Sequence, residues 1–291
     1  MTDGSVADSS GFCDLPFMVI SEAGFIKELK GHGLNNLDCV VISGAGQGIG
    51  KAIALELGRC GTGVLCLSKT NNCEATAAEI LAAGGKAEAM VLDIGDVEKT
   101  GRALSAWMEK QKFKKIGLVL AASILGPKNS GNVAGWEECY RVNVLGNVAV
   151  YFSLLPRMLE NKFGRIVGFG GGGAAYAYPM FPAYAASKVA MVRTIENMQA
   201  DLNGKGDFAA VCLAPGANET NMLKQIRAAG AEIKTTVDIS EPVGFVREFL
   251  LCRECGFKGA FVHVRDNWRD YLNNGRKMDD EKWKLRRTTE P

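Results

Sequence analysis

The sequence predicts an α/β protein with a doubly wound parallel sheet of the Rossmann type. Short strands that are apolar throughout alternate with helical patterns, the first strand runs into a glycine-rich turn, and no internal repeat or long linker interrupts the alternation. Continuously apolar strands are typical of a parallel sheet that helices cover on both faces, because both sides of each strand are then buried. We therefore expect one domain over residues 37–264, with an N-terminal extension over 1–36 and a charged C-terminal tail over 265–291.

The individual elements follow from runs of aliphatic and β-branched residues and from longer stretches with helical spacing. The predicted strands are 40–42, 64–67, 89–92, 116–122, 165–167, 208–213 and 260–262. The predicted helices are 51–58, 74–83, 136–159 and 183–202. Met222, Leu223 and Ile226 recur at helical spacing and predict either a lid helix or a core segment.

The composition is that of a soluble globular protein. Of the 291 residues 47% are hydrophobic and 23% charged, and the net charge is +2. A nearly neutral chain gives no electrostatic argument for binding nucleic acid or a membrane surface, so we expect neither partner. The apolar run 17–20 is too short for a signal core or a membrane span.

The nine cysteines are scattered, and several lie inside apolar runs. This pattern predicts buried thiols in a reducing compartment, and hence a cytoplasmic protein. Cys252 and Cys255 form a single Cys-x-x-Cys pair without a second pair, and the chain has two histidines, His32 and His263. We therefore expect no metal site.

Two motifs carry chemistry. Residues 43–50 read SGAGQGIG directly after the first strand, and such a turn offers backbone N–H groups and a helix N-terminus to a pyrophosphate. Tyr184 and Lys188 lie one helical turn apart, where an ammonium would lower the pKa of a phenol. Alone, the first could be an ordinary turn and the second a surface pair. Together, in this order, they indicate hydride chemistry on a dinucleotide with a tyrosine that handles the proton.

With three further markers, the sequence resembles the classical short-chain dehydrogenase/reductase family over roughly residues 37–264. These markers are Asp93-Ile94 after the third strand, Asn143 in a VNVLG segment, and Pro215-Gly216 followed by Thr220. The resemblance implies that Tyr184 is the general acid or base, that Lys188 holds the nicotinamide ribose, and that Asn143 anchors a water connected to Lys188. Asn143 could instead be a satisfied amide inside a helix. The cofactor contacts implied are Gly44, Gln47, Gly48, Ile49, Gly50, Asp93, Ile94, Ala121, Ala122, Tyr184, Lys188, Pro215, Gly216 and Thr220.

The sequence departs from the family pattern at three places. The serine expected thirteen residues before the tyrosine is Gly171, within a run of four glycines at 170–173. A backbone N–H could replace its hydroxyl, the substrate could supply its own group, or catalysis could be impaired. The usual Asn-Asn-Ala-Gly is LAAS at 120–123, which predicts that its amide hydrogen bonds are lost, and the usual Asp-Gly-Gly near the C-terminus is VRDNW at 264–268.

The end of the second strand bears on the choice of cofactor. It carries Ser68 and Lys69 and no carboxylate that would bind the ribose hydroxyls of NAD. Lys69 can pair with a 2′-phosphate, or it is simply a solvated loop lysine. We expect NADP, and leave NAD open.

The function predicted is an NADP-dependent oxidoreductase that acts on a ketone or secondary alcohol of a larger metabolite, a sugar derivative or secondary metabolite among the candidates. The alternative is a non-catalytic NAD(P)-binding sensor or scaffold of the same fold. Tyr176, Tyr178, Met180 and Phe181 form an aromatic rim that either contacts a small-molecule substrate or packs at a subunit interface. We expect a homo-oligomer, a dimer or a tetramer.

Overall fold

A computed structural model describes residues 37–129, 131–253, 255–273 and 283–286. The predicted extension over 1–36, with its apolar run, and about half of the predicted tail lie outside the described residues.

The centre of the molecule is a seven-stranded sheet in which all neighbouring strands are parallel. The strand order is β3-β2-β1-β4-β5-β6-β7. This arrangement confirms the predicted Rossmann-type fold, and each predicted strand is found with its ends shifted by a few residues. The strands are β1 Cys39–Ser43, β2 Gly63–Ser68, β3 Lys86–Val91, β4 Ile116–Leu120, β5 Phe163–Phe169, β6 Asp207–Ala214 and β7 Ala260–His263.

Helices cover both faces of the sheet, so the strands bury side chains in two separate cores. Val40 and Ile42 of β1 belong to one core, and Cys39 and Val41 belong to the other. The helices are α1 Gly48–Arg59, α2 Asn72–Ala82, α3 Val97–Glu109, α4 Val133–Tyr140, a π-helical segment Arg141–Gly146, α5 Asn147–Glu160, α6 Gly172–Ala175, α7 Pro182–Leu202, α8 Asn221–Ala228, α9 Ser240–Leu251 and α10 Trp268–Asn273.

The predicted helix 136–159 is a continuous helical stretch, Val133–Glu160, interrupted by the π-helical segment. By length and composition it contains a window apolar enough to cross a membrane, but half of that window is buried inside the protein. Tyr151, Leu154 and Met158 contribute to one of the two cores. Packing against the sheet and neighbouring helices thus accounts for much of its apolar character.

The segment after β7 also contributes to a core. The Trp268 side chain is 1% exposed, its ring meets that of Phe245 edge-on at 5.0 Å, and its Nε1 donates to the carbonyl of Val264. The predicted domain boundary at residue 264 stays a prediction.

Candidate active site

The glycine-rich turn between β1 and α1 has the backbone shape of a phosphate cradle. Gly44 and Gly48 have φ of +74° and +57°, a region that favours glycine. A Cβ on Gly50 would lie 2.3 Å from the carbonyl oxygen of Gly44, so no side chain fits between the turn and the helix. Since α1 begins at Gly48, its free N–H groups and positive dipole end face the turn. These residues fit the pyrophosphate of a dinucleotide.

A cavity of about 320 Å³ opens from this turn along the carboxyl ends of the strands. Most of the predicted cofactor residues line it: Gly44, Gln47, Gly48, Ile49, Gly50, Ser68, Lys69, Asp93, Ile94, Ala121, Ala122, Tyr184, Lys188, Pro215 and Thr220. Gly216 is not among the lining residues, and its φ of +70° shapes the turn after β6, against Val237. Further lining residues beyond the predicted cofactor contacts include Gly46, Glu138, Val142, Asn221 and Met222.

Tyr184 and Lys188 come from the start of α7, which Pro182 begins. The Nζ of Lys188 donates to the carbonyl of Phe169 over 3.1 Å and lies 5.3 Å from the centroid of the Tyr184 ring. Burial lowers the pKa of Lys188 to about 8. Burial also raises the pKa of Tyr184 above its ordinary value, with smaller contributions from Tyr178 and Cys139. Burial thus sets the direction of the shift at Tyr184, and the predicted lowering of its pKa by Lys188 stays a prediction.

Asn143 lies behind the cavity wall and does not line it. Its side chain is almost fully buried, and its Oδ1 accepts the N–H of Ile124 while its Nδ2 donates to the Ile124 carbonyl. The same Nδ2 donates to the Oγ of Ser187, which in turn donates to the carbonyl of Tyr184. Asn143 thus connects the wall to the helix that carries Tyr184, and its predicted role in anchoring a water stays a prediction.

The segment 120–123 has no side-chain amide of its own. The amides come from the helix instead: Asn143 holds Ile124, and Asn147 donates to the carbonyl of Ala122 over 3.0 Å. Asn147 was missed because it belongs to no motif, although a polar residue in an otherwise apolar helix is a signal.

At the end of β2, Lys69 forms an ion pair with Asp93 over 2.8 Å. The Lys69 side chain is 67% exposed, and the hydrogen bond that it donates to the Asp93 carboxylate raises its pKa. Partial burial pushes the pKa of Asp93 upward, but the bonds from Lys69 and from the N–H of Gly95 outweigh it and the net pKa is lowered. Sequence reasoning assigned both residues to the cofactor but missed that they pair with each other.

Helix α8 borders the cavity opposite the glycine turn. The hydroxyl of Thr220 caps the helix by accepting the N–H of Leu223. A Cβ on Gly48 would lie 3.3 Å from the methyl group of Thr220, so the two residues are in contact. The Nδ2 of Asn221 donates to the Oε1 of Gln47 over 2.8 Å. The side chains of α8 and of the glycine turn therefore meet across the mouth of the cavity.

Gly171 lies beside the phenol. A Cβ on Gly171 would be 3.7 Å from the Oη of Tyr184, at the position where the resemblance implies a serine. The backbone at Gly171 has φ of +146°, a conformation that residues with a side chain rarely adopt. The four residues of the predicted aromatic rim are not among those that line the cavity: Tyr176 is 80% exposed, and the rings of Tyr178 and Phe181 are 5.8 Å apart.

Among the described residues, no group of three or more His, Cys, Asp or Glu side chains could hold a metal ion.

The family model for short chain dehydrogenases matches residues 38–231, more than half of the chain. A 2-(S)-hydroxypropyl-CoM dehydrogenase of Xanthobacter autotrophicus is 31% identical over 194 residues, which cover 65% of this chain and 75% of that protein. A 1-deoxy-11-beta-hydroxypentalenate dehydrogenase of Streptomyces exfoliatus is 29% identical over 224 residues, which cover 72% of this chain and 78% of that protein.

Solved structures show the same likeness. A candidate NAD(P)-dependent gluconate 5-dehydrogenase from Beutenbergia cavernae, with bound NADP, superposes with a TM-score of 0.73 at 28% identity and covers 79% of this chain and 96% of that one. A 7α-hydroxysteroid dehydrogenase in complex with NADH and a 7-oxo bile acid superposes with a TM-score of 0.70 at 25% identity, and the match covers 80% of this chain and 95% of that one. The neighbours thus bind NADP or NAD. With the glycine cradle, the cavity and the Tyr184–Lys188 pair in place, the chain belongs to the short-chain dehydrogenase/reductase family of NAD(P)-dependent oxidoreductases.

Proposed function

We propose that the protein is an NADP-dependent oxidoreductase that reduces a ketone, or oxidises the corresponding secondary alcohol, of a larger metabolite. The observation that supports this most is that Tyr184 and Lys188 share one cavity with the glycine cradle. A sugar derivative or a secondary metabolite is the substrate class we favour, because Gly171 puts no side chain beside the Oη of Tyr184 and a Cβ on Gly172 would meet no described atom within 4 Å.

When bound, a nicotinamide dinucleotide supplies or accepts the hydride. Tyr184 then supplies the proton: its raised pKa keeps the phenol protonated near neutral pH, so it can donate to the oxygen of a carbonyl that gains a hydride. In the opposite direction the deprotonated phenol accepts the hydroxyl proton, and because burial raises the Tyr184 pKa this form is scarce near neutral pH. Lys188, fixed on the Phe169 carbonyl, is positioned to hold ribose hydroxyls beside the phenol.

Lys69 supports the choice of NADP. It is a largely exposed cation at the end of β2, within the cavity lining. Exposed ion pairs contribute little stability, so the pair with Asp93 can open for a 2′-phosphate.

The exposed apolar side chains of the 133–160 helix support a homo-oligomer, a dimer or a tetramer. Val133, Leu145 and Phe152 are more than half exposed, and such residues are common at subunit interfaces. The cysteines that the structure describes are free thiols, in keeping with a cytoplasmic location.

The test is the replacement Tyr184→Phe, assayed with NADPH and a panel of cyclic ketones, keto sugars and a metabolite extract. We expect turnover to fall by at least about a hundredfold while NADPH binding is kept, because only the proton carrier is lost. Tyr271→Phe, in the C-terminal aromatic cluster with Phe257 and Trp283, is the matched control.

Gly171 favours one alternative, a non-catalytic NAD(P)-binding sensor, because no hydroxyl faces Tyr184 from that position. Tight NADPH binding without turnover of any compound in the panel would support the sensor. Substantial turnover that survives in Tyr184→Phe would assign the proton to another acid.

A further inference from the structure

The segment after β4 forms a wall of the cavity and sets the position of the glycine turn. A Cβ on Gly44 would lie 2.8 Å from the Cα of Ala122 and 3.1 Å from the backbone carbon of Ala121, so the two backbones are in direct contact. A small displacement of this wall would therefore move the phosphate cradle. Its own side chains at 120–123 carry no amide that could hold it.

Asn147, the first residue of α5, holds this wall from behind. Its side chain is 1% exposed, and it does not line the cavity. The Nδ2 donates to the carbonyl of Ala122 over 3.0 Å, and the Oδ1 accepts the hydroxyl of Ser43 over 2.7 Å. The Ser43 Oγ in turn accepts the N–H of Ala122 over 3.1 Å. The three residues form a closed ring of hydrogen bonds that satisfies both backbone groups of Ala122.

The ring joins three elements that meet at the cofactor cavity. Ser43 ends β1 and immediately precedes Gly44, Ala122 follows β4, and Asn147 belongs to the helix. The Nδ2 of Asn147 also donates to the carbonyl of Asn143 over 3.0 Å, and Asn143 lies within the π-helical segment. The two asparagines thus hold alternate residues of the wall: Asn143 bonds both backbone groups of Ile124 directly, whereas Asn147 bonds the Ala122 carbonyl and reaches its N–H through Ser43.

We propose that Asn147 is a positioning residue for the cofactor, which fixes the wall and the glycine turn in register. The role needs a donor and an acceptor on one short side chain, because the partners are a carbonyl and a hydroxyl. An aspartate lacks the donor, and a leucine of similar size lacks both. The inference rests on the proposed cofactor binding.

The experiment measures the Kd of NADPH by fluorescence for the parent protein, Asn147→Leu and the control Asn161→Leu. Asn161 ends the same helix and donates to the carbonyl of Arg157, but it lies outside the cavity lining. We expect Asn147→Leu to raise the Kd about tenfold or more in folded protein, and Asn161→Leu to leave it unchanged whatever it costs in stability. An unchanged Kd in folded Asn147→Leu would overturn the inference.

Ser43→Ala provides a second arm that does not depend on the folding of Asn147→Leu. It removes the other side-chain member of the ring, so it should also raise the Kd, and the double variant should add little to either single change. If Asn147→Leu does not fold, an unchanged Kd in Ser43→Ala overturns the inference. A parent protein that binds neither NADPH nor NADH would instead refute the proposed function itself, whereas a parent that binds with unaffected variants refutes only the role of Asn147.

Discussion

At Gly171 the absence of a side-chain hydroxyl goes with a backbone conformation that only glycine adopts readily. The position faces the Oη of Tyr184 as a serine would, but its φ of +146° suits glycine and strains any other residue. The chain has therefore not simply lost a side chain, since the backbone has a form that a serine does not readily adopt. This favours a site in which a backbone N–H or the substrate itself supplies the missing hydrogen bond.

We predict that Gly171→Ser does not restore an ordinary family site. The serine should destabilise the protein by about 1 kcal/mol or more and leave kcat/KM unchanged or lower, because the new side chain strains the backbone. The matched control is Gly172→Ser, since a Cβ there meets none of the described atoms within 4 Å. The measurements are kcat/KM on a compound that the parent reduces, and urea unfolding. A rise in kcat/KM of about tenfold, or 1.4 kcal/mol of barrier, would show that the glycine is a defect.

We predict that NADPH binds more tightly than NADH and that Lys69→Ala removes most of the difference. The lysine supplies the charge for a 2′-phosphate, and its bond to Asp93 is exposed and easily exchanged. Fluorescence titration of both cofactors at two salt concentrations measures the effect, with Lys110→Ala at the end of α3 as the control. Equal affinities of the parent for the two cofactors would remove Lys69 from the cofactor site.

At the scale of elements, the strands were predicted better than the helices. A parallel strand that is covered on both faces appears in the sequence as a continuous apolar run. In β1, for example, all five residues are buried. Helix α3 escaped prediction because it buries only one narrow face, Thr100, Leu104 and Met108, and its remaining residues are largely polar. Its start does carry a sequence signal, because Asp96 caps it by accepting the N–H of Lys99.

The π-helical segment could not be predicted from periodicity. The sequence over 136–159 reads as one helix, and the structure widens its turn over Arg141–Gly146. What marks it in the structure is the pair of buried amides at Asn143 and Asn147, both turned towards the wall after β4. A local conformation that depends on partners far along the chain leaves little trace in the local pattern.

At the scale of the whole molecule, the motifs located the candidate site, but the contacts between them came from the fold. The glycine turn and the Tyr184–Lys188 pair are about 140 residues apart, and the parallel sheet brings both to the carboxyl ends of its strands. The sequence did not predict that Asn221 would meet Gln47 across the cavity mouth, 174 positions away. Such pairs depend on the relative placement of loops, which no single-sequence pattern encodes.

Lys188 also affects the stability of the whole protein as pH changes. The pKa of Lys188 is about 8 in the folded protein, against 10.5 for an ordinary lysine. Between pH 8 and pH 10.5 the unfolded chain therefore binds more protons at this residue than the folded protein does. Because of this difference, the contribution of Lys188 to the free energy of unfolding increases as pH rises through that range. Below pH 8 the ammonium is charged in both states, so the full cost of burying it lowers the stability of the folded protein.

We predict that Lys188→Met is more stable than the parent at pH 7, and that this advantage shrinks by roughly 1 kcal/mol at pH 9. The comparison between the two proteins is needed because buried cysteines such as Cys66 and Cys212, whose pKa burial raises, favour unfolding above pH 9 in both. Urea unfolding of parent and variant at the two pH values measures the difference, and Lys110→Met serves as the exposed control. An advantage that stays constant from pH 7 to 9 would mean that the Lys188 ammonium is solvated or paired in the folded protein, and its placement on the Phe169 carbonyl would then be wrong.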